Sequence, residues 1–176
     1  MTVRQSRWLI VGAAILALGA GAWLARTSLL GPSAVGQSAE TLVSIALPDT
    51  GGNQQALAQW KGKVLVVNFW ATWCAPCREE MPMFVRLQRD RGAKGLQFVG
   101  IAVDQVDKVR QFADEIGLNY LALIGGYGAM ELSKTLGNSL MALPFTVVVD
   151  REGRIAHTQL GPLKEAQLNA IADQLL

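Results

Sequence analysis

The sequence predicts an α/β domain in which helices flank a central mixed sheet. Three observations carry this. Val64–Trp70 is a near-continuous β-prone run, as expected of a strand buried on both faces, and a helical pattern follows it directly. Leu96–Val103 is a second such run, followed by the amphipathic stretch Val106–Ile116. The chain closes with a strand–turn–strand pattern and a last helix. Strand–helix repeats ending in a hairpin and helix point to a layered sandwich.

The N-terminal elements come first. Trp8–Ala25 holds 18 residues without a charged or polar side chain. As a helix it spans about 27 Å, close to a hydrocarbon core of about 30 Å. Trp8 and Trp23 lie near its ends, where indole rings favour the interface. Arg4 and Arg7 precede it and only Arg26 follows, which favours a cytoplasmic N-terminus (residues 1–7) and an exported body. The run is longer than the ~7–15 residues of a signal core and is expected to be a transmembrane anchor. A cleaved signal, cut near Ala20-Gly21-Ala22, is the alternative. Both readings export the domain to the same compartment; as an anchor, residues 8–25 have the lipid bilayer as partner, and a cleaved signal would leave the domain secreted. Residues 26–40 are mostly small or polar and read as a tether, leaving 41–176 as the folded domain.

Within that domain, residues 41–47 suggest a short strand. Asp49–Asn53 is the turn of an N-terminal hairpin, and Leu57–Trp60 one helical turn. After the Val64–Trp70 strand, a helix is expected from Ala75 to about Arg91, kinked at Pro82. Beyond the second strand and its helix, Tyr120–Ile124 reads as a short strand and Ala129–Leu136 as a short helix. Phe145–Asp150 and Arg154–Leu160 form the late hairpin, and Lys164–Leu176 the closing helix.

Charge excludes one class of function. Residues 1–26 carry three arginines and no acid, whereas the remainder holds 13 basic and 14 acidic side chains. The basic pI therefore belongs to the N-terminus, and the near-neutral domain makes no case for nucleic acid.

Chemistry concentrates in Trp73-Cys74-Ala75-Pro76-Cys77, which holds both cysteines of the chain. A C-x-x-C pair between a buried strand and a helix puts Cys74 at the helix N-terminus. Unpaired N–H groups and the helix dipole there stabilise a thiolate, the attacking species. Cys77 lies one turn deeper, and Pro76 falls where a missing N–H costs little. Such a pair can pass between dithiol and disulfide through a mixed disulfide. A purely structural bridge would close too small a loop to restrict the unfolded chain. Zinc would need two further ligands, and no second cysteine pair exists.

Val66-Val67-Asn68-Phe69-Trp70-Ala71-Thr72-Trp73-Cys74-Ala75-Pro76-Cys77-Arg78-Glu79-Glu80-Met81-Pro82 resembles the active-site segment of the TlpA/ResA-type thiol–disulfide oxidoreductases. These are membrane-tethered or exported bacterial proteins of thioredoxin-like fold. The resemblance extends over about residues 41–176. It includes Leu47-Pro48-Asp49, Lys61-Gly62-Lys63, Leu143-Pro144-Phe145-Thr146 and Val149–Arg154, and is weak from 104 to 140. It implies an attacking Cys74, a resolving Cys77, a cis-Pro144 facing the disulfide, and Leu143 offering its backbone to a bound partner. It further implies a catalytic role for Glu80, no cofactor, and a periplasmic domain tethered to the bacterial inner membrane. That domain would reduce disulfide-containing periplasmic proteins and be re-reduced by a membrane electron donor. Some members of the family serve cytochrome c biogenesis and others oxidase copper-site assembly.

Glu80 also has a physical argument. It lies i+3 from Cys77 on the helix, and a partly buried carboxylate there has a raised pKa and can exchange a proton with the thiol. Asn68 stands where cytoplasmic thioredoxin has a strand acid, so a titrating group must come from elsewhere. Trp73 and Trp70 are expected at the rim of the disulfide, with Trp73 contacting substrate. Arg78 reads as a solvated side chain, and His157 as a packed strand residue. A copper-carrying or interaction module of the Sco type is the alternative reading. Its three-residue cysteine spacer, however, differs from the two residues here.

Overall fold

The computed structural model describes residues 35–36 and 39–176. The expected anchor, 8–25, lies outside the described residues. Among the described residues, no helix is long and apolar enough to cross a membrane. The elements are α1 (Glu40–Val43), β1 (Ala46–Pro48), β2 (Gln54–Ala56), β3 (Val64–Trp70), α2 (Ala75–Arg91), β4 (Leu96–Ala102) and α3 (Val106–Glu115). Then follow β5 (Leu121–Ile124), α4 (Gly126–Thr135), β6 (Phe145–Val149), β7 (Ile155–Leu160) and α5 (Glu165–Leu175).

Five strands form one sheet in the order β5-β4-β3-β6-β7. β3 runs parallel to β4 and antiparallel to β6. All seven β3 residues are buried, which accounts for the unbroken apolar run. Its period of two divides the core. Val64, Val66 and Trp70 pack with Phe84, Phe98 and Leu168 on one face. Leu65, Val67 and Phe69 pack with Leu42, Leu57 and Ala129 on the other.

The expected strand at 41–47 is corrected. Its first part is the helical turn α1, closed by Val43 N–H to Ala39 C=O, and only Ala46 onward pairs as β1. Ala39, Leu42 and Val43 also fit an i, i+3, i+4 spacing. That face is the one buried, with Ala39 and Leu42 sealed into the second cluster. Asp49 organises the hairpin turn by accepting the Gly51 and Asn53 N–H groups at 2.9 Å each.

α2 runs continuously through Pro82. An interior proline costs about 3 kcal/mol. Burial of Met81, Phe84 and Leu87 around it, each contributing about 1.5–3 kcal/mol, outweighs that.

Two poles follow from the register. Phe69 pairs with Phe145, so the segment after β3 and Pro144 before β6 meet at one end of the sheet. At the other end the incoming chain is held by Gly36 N–H to Ile155 C=O and Ala39 N–H to Gly153 C=O.

Candidate active site

Cys74 is the N-cap of α2, and its sulfur accepts the Cys77 N–H at 3.3 Å. The two cysteines are joined in a disulfide with Cα atoms 5.3 Å apart. Cys74 is 6% exposed and Cys77 fully buried. Cys74 packs in the first cluster with Ala71 and Leu143, and of the two cysteines only Cys74 reaches solvent. The Leu143–Pro144 peptide is cis. The N–H and C=O of Leu143 make no backbone hydrogen bond among the described residues.

Glu80 lies one turn after Cys77 on α2 and is 5% exposed. One carboxylate oxygen accepts from Asn68 Nδ2 at 2.9 Å, the other from the Leu163 N–H at 2.9 Å. Burial pushes its carboxyl up from 4.5 to about 7, against the lowering effect of those two hydrogen bonds. Asn68 also donates to Thr146 Oγ1 at 3.0 Å, so its amide ties Glu80 to the strand that follows Pro144. Asn68 Oδ1 is buried without a partner among the described residues.

Trp73 stands at the rim, 68% exposed. Trp70 does not, which corrects the expectation. It is fully buried, its ring centroid 5.5 Å from that of Phe112. Strand alternation sends it inward, across the position of Gly100, where an added Cβ would lie 2.8 Å from Trp70 Nε1. Arg78 is half-exposed, stacked 4.8 Å over the Phe112 ring and paired with Glu115 at 3.4 Å. Its charge therefore has partners other than the sulfurs. His157 lies in β7 opposite Val148, its Nε2 buried and without a partner among the described residues. Among the described residues no three His, Cys, Asp or Glu side chains gather into a metal-binding group.

Sequence reasoning missed several neighbours of the site. The Asp104 carboxylate accepts from the Thr72 backbone N–H at 3.1 Å, from the Thr72 hydroxyl, and from the Gln105 N–H at 2.8 Å. Burial raises its carboxyl, but the Thr72 and Gln105 hydrogen bonds and the Lys108 charge outweigh this and hold it below its ordinary value. Asp104 so fastens the segment carrying Trp73 and Cys74 to the end of β4. Asn138, buried, clamps Ala142 from both sides, accepting its N–H at 3.1 Å and donating to its C=O at 2.9 Å. Tyr120 is buried, its hydroxyl without a partner among the described residues. Burial, and secondarily the charge of Glu80, raises that hydroxyl above its ordinary pKa. The Asp104–Thr72 contact joins segments far apart along the chain, and composition carries no local signal for it.

The profile of the Redoxin family matches residues 34–176. Thiol-disulfide oxidoreductase ResA of Bacillus thuringiensis subsp. konkukian is 30% identical over 135 residues, covering 76% of this chain and 74% of that protein. Thiol:disulfide interchange protein HelX of Rhodobacter capsulatus is 38% identical over 117 residues, covering 65% of this chain and 62% of that protein. The crystal structure of a thiol:disulfide interchange protein of Chlorobium tepidum TLS superposes with a TM-score of 0.69 at 29% identity, covering 75% of this chain and 92% of that one. With a helix-capping Cys74–Cys77 disulfide inside this thioredoxin-like sheet, the chain belongs to the Redoxin family and is a thiol–disulfide oxidoreductase.

Proposed function

We propose that this oxidoreductase is an exported, membrane-tethered reductant of disulfides in periplasmic partner proteins, supplied with electrons by a membrane donor. The observation that carries the mechanism is the buried carboxylate of Glu80 one helical turn from Cys77, in a disulfide of which only Cys74 meets solvent. In the reduced state the Cys74 thiolate, stabilised by the α2 N-terminus, attacks one sulfur of a partner disulfide. That S–S bond breaks as the new one forms, and the leaving sulfur departs as a thiolate and takes a proton. Cys77 gives up its proton, with Glu80 as acceptor. It attacks Cys74, restores the Cys74–Cys77 bond and releases the second partner sulfur. Two electrons pass to the partner. The backbone of Leu143, without main-chain partners among the described residues, pairs with the bound segment beside Pro144, and Trp73 covers it. The membrane donor returns two electrons and two protons.

The tether rests on the 18 uncharged residues from Trp8 to Ala25 and the arginines before them.

Insulin reduction by the full chain is expected to vanish in Cys74→Ser and Cys77→Ser and to slow roughly a hundredfold in Glu80→Gln. Equilibration with glutathione is expected to give a potential below about −200 mV. A value near the roughly −120 mV of DsbA would overturn the reducing direction. Membrane fractionation with protease treatment of spheroplasts tests export. Retention of the intact domain in the cytosolic fraction would overturn it.

A further inference from the structure

The redox pole carries more apolar surface than disulfide exchange by itself needs. Among the described residues only five large hydrophobic side chains are conspicuously exposed, and three of them, Trp73 at 68%, Tyr127 at 93% and Leu140 at 75%, belong to this pole's loops and helix start. Trp73 and Tyr127 line a single groove of about 660 Å³, together with Met130, Met141 and Leu143. That volume falls within the roughly 300–1,000 Å³ of sites that enclose a small ligand. Trp73 and Leu143 border both this groove and the disulfide, so a polypeptide whose cysteine meets Cys74 continues into it.

The lining is selective in character. Two methionines give an adaptable surface that favours aromatic rings, and two aromatic side chains border it. Asp104 is the one charged residue of the lining, and it already accepts hydrogen bonds from Thr72 and Gln105. An entering carboxylate meets a like charge in the lining, and Lys108, whose charge acts on Asp104, is not part of it. The wall formed by Met141–Leu143 is set in advance. Met141 is held at φ 49°, a left-handed conformation unfavourable for a non-glycine residue, while Asn138 grips Ala142 on both sides.

We propose that this groove receives an extended partner segment bearing an aromatic or long aliphatic side chain beside the exchanging cysteine, and that Tyr127 is the residue selecting it. The inference rests on the reading of Cys74 as the attacking sulfur and specifies the substrate class of that site.

The test is oxidation of the reduced full chain by symmetrical disulfides of short single-cysteine peptides with Phe, Gly or Glu next to the cysteine, followed by stopped-flow tryptophan fluorescence. The Phe peptide is expected to react roughly tenfold faster than the Gly peptide, and the Glu peptide more slowly than either. In Tyr127→Ala the Phe-to-Gly ratio is expected to fall to within about twofold, while Tyr127→Phe retains it. The ratio is read within each variant, so a general loss of activity cancels. Equal rates for Phe and Gly in the wild type, or an unchanged ratio in Tyr127→Ala, would overturn the proposal. Oxidised glutathione separates the two levels. If it oxidises the wild type through Cys74 while the peptide ratio is one, only the selectivity is wrong. If Cys74→Ser makes no difference to glutathione or peptides, the attacking role itself is wrong, and the selectivity with it.

Discussion

Glu80 is the residue in which burial and chemistry conflict most. Its folded-state carboxyl titrates near 7, while the unfolded chain titrates near 4.5. Between those values the folded state binds more protons than the unfolded one, so stability falls as pH rises through that window. The stabilisation is fully present below about 4.5 and lost above about 7. The loss amounts to roughly 3 kcal/mol. Urea titrations of the oxidised protein from pH 5 to 8 are expected to show this decline, and Glu80→Gln to flatten it. The same variant is expected to remove any inflection near 7 from the pH profile of Cys77 alkylation in the reduced protein. Glu80 and the two cysteines were legible as a constellation because helix spacing makes them neighbours. The depth of Glu80 was not, because it depends on Asn68 and Leu163, which meet it only across the fold.

At the scale of elements, β4 and the segment before β6 do the positioning. Gly100 sits opposite Asn68 in the β3–β4 register, under the Trp70 indole. Gly100→Ala is expected to cost about 1–3 kcal/mol in urea unfolding, since neither the central strand nor the buried Trp70 can yield easily. Asn138→Ala is expected to cost about 1–2 kcal/mol and to speed hydrogen exchange at Met141–Leu143, because it releases both backbone groups of Ala142. Periodicity located the central strands and most helices, because alternation and i, i+4 spacing are properties of a single segment. It misread 41–44, where one stretch fits both periods and only the surface it packs against decides.

For the whole molecule, the folded domain takes in residues that composition alone assigns to a linker. Residues 39 and 40 read as linker by composition, yet Ala39 is buried and Glu40 begins α1. Leu42→Ala is expected to destabilise the domain by about 3–5 kcal/mol in urea, as for other buried leucines and unlike a residue in a solvated tether. Placing this attachment and the disulfide at opposite ends of the sheet is a consequence of strand direction. β3 delivers the chain to Cys74 at one pole, and β6 returns it to the turn at 150–154 near the other.

The sequence by itself determined the strand–helix order, the C-x-x-C pair at a helix start and the alignment of Glu80 with Cys77. Each depends on residues close together along the chain and on backbone geometry that neighbours dictate. Only the tertiary structure decided that Trp70 turns inward while Trp73 stays out, that Glu80 is sealed by Asn68 and Leu163, and that Tyr127, Met141 and Trp73 share one groove. Those outcomes turn on contacts between segments tens of residues apart, whose energies exist only once the sheet has brought them together.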